Sequence, residues 1–486
     1  MAKITTVIDI GSNSVRMAIF KKTSRFGFSL LYELKSRVRI SEGCYELGGF
    51  LQERPMQRAI SALREFKKIS QAYKSRKIFC IATSALRDAP NSKDFIKRVD
   101  KECGVKIKII DGKKEAFFGA VACANLSHSR DGIMVDIGGG STECALIENG
   151  RIKDMVSLNL GTIRLKELFF DKKLDLKEAK NFIQDAFNAL PDSFVHSNIF
   201  GVGGTIRALA KLIMKQTNYP FDLIHGFEID VKKHIDLMAK IIKSKEEKLE
   251  EMGIAEERMD NIQGGFLILS MLIERFKTKN ITTCGVGIRE GAFLVDLLRS
   301  HHYVIPNGIN PSLQYLHDTF SFHQENKNLK KITLRLFDLL SSDFKLKDSD
   351  KRLLLMAGLM VHIGSCIDFY HENKHSAYLV KYALSYGFSH YERIFISLLI
   401  AFSEKKNPKD SDLQDYKMYS FDIYTLQILS YILSIAKILG SFYDNSIDFS
   451  YQQKRLVISG ISDNFIILEK ISRLARPKDL SIVFGE

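Results

Sequence analysis

Four carboxylates and one arginine stand where they could work on a phosphate chain: Asp9, Glu115, Asp136, Glu143 and Arg87. Asp9 opens the segment Asp9-Ile10-Gly11-Ser12-Asn13-Ser14, and Asp136 opens Asp136-Ile137-Gly138-Gly139-Gly140-Ser141-Thr142-Glu143. Glycines let backbone N–H groups close on an anion, and Ser12, Asn13, Ser14 and Ser141 add donors. An Asp at the end of a strand can hold a divalent cation beside phosphate oxygens, so Asp9, Asp136 and Glu143 form a candidate hard-cation set. Arg87 closes Thr83-Ser84-Ala85-Leu86-Arg87 at a strand end, where a guanidinium could clamp a terminal phosphate, the alternative being an ordinary loop arginine. Glu115 follows Asp111-Gly112 at a helix start. It could activate water, but read alone it is an ordinary first-turn Glu favoured by the helix dipole.

Both Asp-Ile-Gly segments must be carried by hairpins. The apolar runs Ile4–Ile8 and Gly132–Val135 precede them, and Val15–Phe20 and Cys144–Ile147 follow. One such turn is an ordinary hairpin; two sharing Asp-Ile-Gly and a downstream Ser predict a duplicated domain gripping phosphate between its copies. A third turn, Gly203-Gly204-Thr205, leads into an apparent helix Ile206–Leu212, the arrangement of an anion site at a helix N-terminus. A fourth, Gly285-Val286-Gly287-Ile288-Arg289-Glu290-Gly291, repeats strand, glycine and helix.

Strand-like and helical segments alternate through residues 1–300: a helix over Met56–Phe66, strands Lys77–Ala82 and Val105–Ile110, and a helix from Lys113 to about Asn125. The polar stretch Ser127–Asp131 separates the repeats. From Pro306 the texture turns helical over Lys330–Leu340, Lys351–Phe369, Tyr391–Phe402 and Tyr424–Leu439, with a possible strand pair Leu456–Ser459 and Phe465–Leu468. The expected domains are 1–127, 128–304 and 305–486, an α/β pair followed by a helical domain, in keeping with the length.

The 486 residues are 45% hydrophobic and carry a net charge of +14. Residues 1–300 hold 49 basic against 37 acidic residues, and residues 301–486 hold 22 against 20, so the excess lies with the phosphate loops. Clusters such as Lys35-x-Arg37-x-Arg39 and Lys74-x-Arg76-Lys77 could steer a polyanion, or could be a solvated basic surface. No helix-turn-helix, zinc-finger or ribonucleoprotein signature accompanies the charge, so no specific nucleic-acid partner is expected. Seven scattered cysteines without Cys-x-x-Cys spacing read as reduced thiols of a cytoplasmic protein. The apolar stretch Leu426–Phe442 is broken by Gln427, Lys437 and serines, so no membrane span is expected, and the N-terminus does not read as a signal peptide. His371 and His375 are spaced i, i+4, but Ile363 stands after His362 where a His-Asp metal site needs an Asp. These histidines therefore read as structural or phosphate-contacting, with Ser376 and Tyr378 facing a long substrate.

In order, Asp9–Ser14, Thr83–Arg87, Gly112-x-x-Glu115-Ala116, Asp136–Glu143, Gly203–Thr205, His225-Gly226 and Gly287–Gly291 resemble the exopolyphosphatase/guanosine pentaphosphate phosphohydrolase (Ppx/GppA) family. His371-x-x-x-His375-Ser376-x-Tyr378 resembles its helical C-terminal domain. The resemblance implies a duplicated actin-like (ribonuclease H-like) ATPase fold and an all-α, degenerate His-Asp-like C-terminal domain. It further implies release of terminal phosphate from polyphosphate, or conversion of pppGpp to ppGpp, with Mg2+ in a homodimer. By position it makes Glu115 the catalytic base, Glu143 the second catalytic carboxylate, Asp136 the metal-linked Asp, and Arg87 phosphate-binding with Gly138, Gly139, Gly140, Gly203, Gly204 and Thr205. The family usually has two acidic residues before the Ala; here the first is Lys114. An actin-like kinase or ATPase, or a non-catalytic phosphate or alarmone sensor, remains the alternative.

Overall fold

The apolar run Ile4–Ile10 becomes strand β1, buried along nearly its whole length because it lies at the centre of a sheet. In this computed structural model, which describes residues 3–44, 47–172, 174–321, 327–441 and 447–485, four more strands join it: β2 (Val15–Lys22), β3 (Phe28–Ser36), β4 (Lys77–Ala82) and β5 (Ile107–Ile109). Their order is β3-β2-β1-β4-β5, with β2 antiparallel to β1, β4 parallel to it, and β5 parallel to β4. The second sheet contains β6 (Gly132–Ile137), β7 (Thr142–Glu148), β8 (Arg151–Leu158), β9 (Asn198–Gly203), β10 (Glu228–Asp230) and β11 (Asn280–Thr283). Its order β8-β7-β6-β9-β11 repeats the first sheet with the same senses, and β10 adds an antiparallel edge. The hairpin tips repeat as well: Gly11 N–H donates to the Ser14 carbonyl at 3.1 Å, and Gly138 N–H to that of Ser141 at 2.9 Å. The duplication read from the Asp-Ile-Gly segments is thus present in the backbone.

The helices that position the site are α1 (Glu53–Ala72), α2 (Ser84–Arg87), α3 (Gly112–Leu126), α4 (Gly204–Gln216) and α5 (Ile288–Leu297). Two of them change sides. Helix α3 follows the first sheet in sequence yet packs on β6, β7 and β8, while α5 follows the second sheet and packs on β1 and β2. On the first sheet, Phe293 of α5 stacks on Phe20 with ring centroids 4.6 Å apart. The exchanged helices also cross each other at Gly291, where a Cβ would fall 1.8 Å from the Phe118 carbonyl oxygen. A cut at residue 127 therefore separates the sequence repeats but runs across this packing, and both sheets lie in one unit, Met1–Pro311.

The second unit, Ser312–Glu486, is mainly helical: α6 (Lys327–Leu340), α7 (Asp348–Met360), α8 (Glu372–Ala383), α9 (His390–Phe402) and α10 (Ile423–Gly440). The expected helix Lys351–Phe369 stops at Met360, and a 3-10 turn, Ile363–Cys366, follows. There the backbone of Gly364 lies against α8 so closely that a Cβ would be 2.3 Å from Ser376 N. Ser376 is fully buried in this junction, accepting from Gly364 N–H and donating to the Val361 carbonyl, so it does not face a substrate as expected. The expected strand at Phe465–Leu468 is instead part of the helix Phe465–Ser472, in which Phe465 and Ile466 are exposed and Ile467 and Ile471 buried. The strands are β12 (Asp448–Gln452), β13 (Arg455–Ser459) and β14 (Ser481–Phe484), so the unit is not wholly α. Helix α10, with a mean hydropathy of 1.5, is long and apolar enough to cross a membrane, contrary to expectation, but 72% of it is buried and it packs against α6, α7 and α9 as the unit's core helix.

Substituting Gly291→Ala should force α3 and α5 apart, a backbone-to-backbone collision that side-chain repacking does not relieve. A loss of about 3 kcal/mol is expected, the range of severe overpacking, read as a lowered midpoint in urea unfolding of the full chain.

Candidate active site

The ends of β1, β4, β6, β9 and β11, with the starts of α3, α4 and α5, surround a cleft of about 140 Å3, well below the usual 300–1,000 Å3 of small-molecule pockets. It has room for phosphate groups and little else. The two hairpin tips touch across it: a Cβ on Gly139 would sit 3.0 Å from that of Ser12. Gly203, in the left-handed region at φ +92°, is the N-cap of α4 and lies so near Asp136 that a Cβ would be 2.7 Å from its Oδ1. Asp9, Ser12, Asn13, Ser14, Glu115, Asp136, Gly138, Gly139, Ser141, Glu143, Gly203, Gly204 and Thr205 all line the cleft. Two expected residues are set back from its wall. The Gly140 carbonyl accepts from Arg164 Nε at 3.0 Å, and Arg87, at the end of the one-turn helix α2 and not of the strand itself, points to Glu115.

Each carboxylate owes its place to a local rule. Asp9 pairs in register with Arg16, and Asp136 with Glu143, at matching places in the two hairpins. Glu115 lies in the first turn of α3, whose N-cap is Asp111, the acceptor for Lys114 N–H at 2.7 Å. Glu115 stands one place beyond Lys114, the residue that Asp111 caps, and faces Arg87, 3.1 Å from its Nη1. In α5 the first-turn carboxylate stands one place earlier: Glu290, three residues after the N-cap Gly287, folds back to accept Gly287 N–H at 2.8 Å.

Burial is the main cause of what these groups do with protons. It pushes Asp9 up to about 6 against the pull of Arg16 and Arg289, and raises Asp136 despite Arg207 and Arg16. Glu143, held by Ser157 Oγ at 2.8 Å, is pushed up to about 8 by burial and then by Asp136. Glu115 is raised well above the usual carboxylate range, first by burial and then by Glu143, with Arg87 opposing. Carboxylates buried this close to one another titrate as a pair.

Arg16, Arg207, Arg258 and Arg289 also line the cleft and were not singled out as site residues from the sequence; Lys35, read there as part of a steering cluster, joins them. Burial and the neighbouring Arg16 lower Arg207 to about 10, while Arg289 is held above its usual value by Glu290 and Glu33 in spite of burial. Arg289 Nη1 reaches Glu33 on β3 at 2.6 Å, and Arg39 reaches Asp260 at 2.8 Å, so ion pairs tie the halves together beside the cleft. The repeat could have revealed two of these. Arg16 follows Asp9 at the offset by which Glu143 follows Asp136, and Arg207 follows Gly203 as Arg87 follows Thr83. Among the described residues no three His, Cys, Asp or Glu side chains form a ready cation cage, so Asp9, Asp136 and Glu143 are near one another without enclosing a metal position.

A duplicated α/β fold with facing glycine tips, paired carboxylates and arginines at one cleft defines a phosphate-handling protein. The profile of the Ppx/GppA phosphatase family matches residues 18–301, and that of Ppx/GppA phosphatase domain III matches residues 311–452. The chain belongs to the Ppx/GppA phosphatase family. It is 33% identical over 286 residues to a bifunctional 3-dehydroquinate synthase/phosphatase of Fusobacterium nucleatum, a match covering 55% of this chain and 43% of that protein. This chain thus spans less than half the length of that curated relative. The crystal structure of an Aquifex aeolicus Ppx/GppA family member is 26% identical, with a TM-score of 0.53 over 62% of this chain and all of the other. An exopolyphosphatase structure from Cytophaga hutchinsonii, 23% identical over 61% of this chain and 98% of its own, shares the fold with a TM-score of 0.56.

A carboxyl that stays protonated to about 8 in the folded chain, but loses its proton near 4.5 when unfolded, costs stability increasingly between those pH values. Glu143→Gln, a neutral isostere, should therefore stabilise the protein by roughly 1–3 kcal/mol at pH 8 and by almost nothing at pH 4.5. Thermal unfolding of both proteins across this range checks the sign.

Proposed function

We propose that the cleft hydrolyses terminal phosphoanhydrides, releasing phosphate from inorganic polyphosphate, from the 5′-triphosphate end of pppGpp, or from both. The single observation that carries this reading is Glu115, buried on the cleft wall beside Glu143 and facing Arg87. The Fusobacterium relative, named a phosphatase over the matched region's family, supports the same chemistry.

In this reading the end of the phosphate chain lies between the tips, with the N–H groups of Gly138–Gly140 and of the α4 N-terminus on its oxygens, together with Ser12, Asn13, Ser14, Ser141 and Thr205. The arriving phosphate draws the Arg87 guanidinium from Glu115, which changes the local charge at the moment the base is needed. Glu115 in its ionised form takes a proton from water, the water oxygen bonds to the terminal phosphorus, and the bond to the bridging oxygen breaks. Arg207 and Arg16 offset charge on the leaving phosphate. Glu143, steadied by Ser157, orients the same water.

All the candidate cation ligands are oxygens. Mg2+ is held by one or two carboxylates with phosphate oxygens and water completing the octahedron, so Asp9, Asp136 and Glu143 fit an ion shared with substrate better than an all-protein cage. When bound there, the ion would neutralise phosphate charge.

Purified chain given polyphosphate, pppGpp and ATP should release phosphate only with Mg2+, and chelation should stop it. Glu115→Gln should lower kcat at least 100-fold, the usual worth of a general base, with KM little changed. Arg87→Ala should raise KM as well, because it removes a bidentate phosphate contact. Full turnover by Glu115→Gln would refute the base assignment. Tight binding of either substrate by the unaltered chain without release would assign the cleft to sensing, and phosphate passed from ATP to an acceptor would make it a kinase.

A further inference from the structure

The helical unit contains a cavity of about 1330 Å3, far roomier than the cleft, and nothing in the proposed hydrolysis uses it. At its floor Lys437 is buried, with Nζ 2.8 Å from Glu372, 2.7 Å from Glu404 and 2.8 Å from Asn373 Oδ1. His362 Nδ1 lies 3.0 Å from the other oxygen of Glu372. Burial alone would raise Glu372, but the hydrogen bonds from His362 and Lys437 outweigh it and hold it at about 2. An ammonium thus fills the cationic role between two carboxylates, and Ile363 follows His362 where a metal-binding Asp would be needed. Among the described residues this floor offers no ready set of metal ligands.

The walls differ in character from the floor. Besides Lys437, five lysines, Lys327, Lys330, Lys374, Lys405 and Lys470, line the cavity, whereas residues 301–486 as a whole carry 22 basic and 20 acidic residues. The positive excess of a nearly balanced unit is gathered on one concave surface. Between the lysines the walls are apolar, with Leu355, Met356, Leu359 and Ile438. At the rim Phe369 and Tyr370 are 76% and 86% exposed, their rings 5.6 Å apart edge to face. Exposed aromatic rings beside clustered ammonium groups suit a ligand with a flat π-face and phosphates, since stacking is indifferent to which base is present. A bare phosphate chain would leave both the rings and the apolar wall unused.

We propose that this cavity is a second, non-hydrolytic site that binds a nucleotide, its base on Phe369 or Tyr370 and its phosphates on the rim lysines. The proposal does not depend on the cleft being hydrolytic. The test is calorimetric titration of the full chain, without divalent metal, using AMP and GMP, which have no phosphoanhydride bond to lose. One molecule per chain is expected, bound equally by a double cleft variant, Arg87→Ala with Glu115→Gln. The pairs Phe369→Ala with Tyr370→Ala, and Lys374→Glu with Lys405→Glu, all at exposed positions, should each weaken binding at least tenfold while keeping the parent's thermal unfolding transition. Photolabelling with 8-azido-AMP should mark the peptide around Phe369–Lys374, a readout independent of any variant. Absence of binding, labelling elsewhere, binding lost only in the cleft variant, or tripolyphosphate binding this site as tightly as AMP would each overturn the proposal.

Discussion

Like charges buried together are the constraint around which the larger unit is arranged. Asp9, Asp136, Glu115 and Glu143 meet in a cleft too small to hold much water, and burial raises the protonation of all four. Left to relax, such a cluster would separate. It is held by backbone that cannot yield: β1 and β6 at the centres of their sheets, and α3 and α5 locked against each other at Phe118 and Gly291. Cations and phosphate-binding dipoles stand opposite, where they offset part of that charge.

The repeat places the same backbone twice and then assigns it different work. Asp9 and Asp136 match, but their register partners are Arg16 in one hairpin and Glu143 in the other. Glu115 and Glu290 both lie in first turns, but Glu290, three places after its N-cap, bonds the Gly287 N–H, while Glu115, four places after Asp111, faces Arg87. A shift of one position therefore separates a carboxylate available for chemistry from one tied to the fold. Asymmetry of this kind gives a nearly symmetric cleft a direction, with a basic side and an acidic one.

What could be read in the chain were features set by short-range rules. The strand ends, the glycine turns, the first turn of α3 and most helices of the second unit follow from periodicity and local backbone need, and they lie where expected. Arg16 and Arg207 escaped because each looks like a strand or helix surface residue until the two repeats are superposed. Helix exchange escaped because nothing local distinguishes a helix covering its own sheet from one covering its neighbour's. Phe465–Leu468 misled because four consecutive apolar residues suit a strand or a helix equally, and only Ile467 among them is buried. Ser376 was taken for a surface contact because its role, bridging a tight backbone junction, depends on Gly364 twelve residues earlier.

Helix exchange also bears on how the chain is made. Synthesis proceeds from the N-terminus, so the strands of the first sheet exist long before α5, which closes the face of β1 and β2 with Phe293 against Phe20. Until residues 288–297 leave the ribosome, that apolar face has no cover from its own half, because α3 belongs against the other sheet. The first repeat is thus a nascent intermediate that must wait for the second, and the interval is when the chain most needs shelter from aggregation.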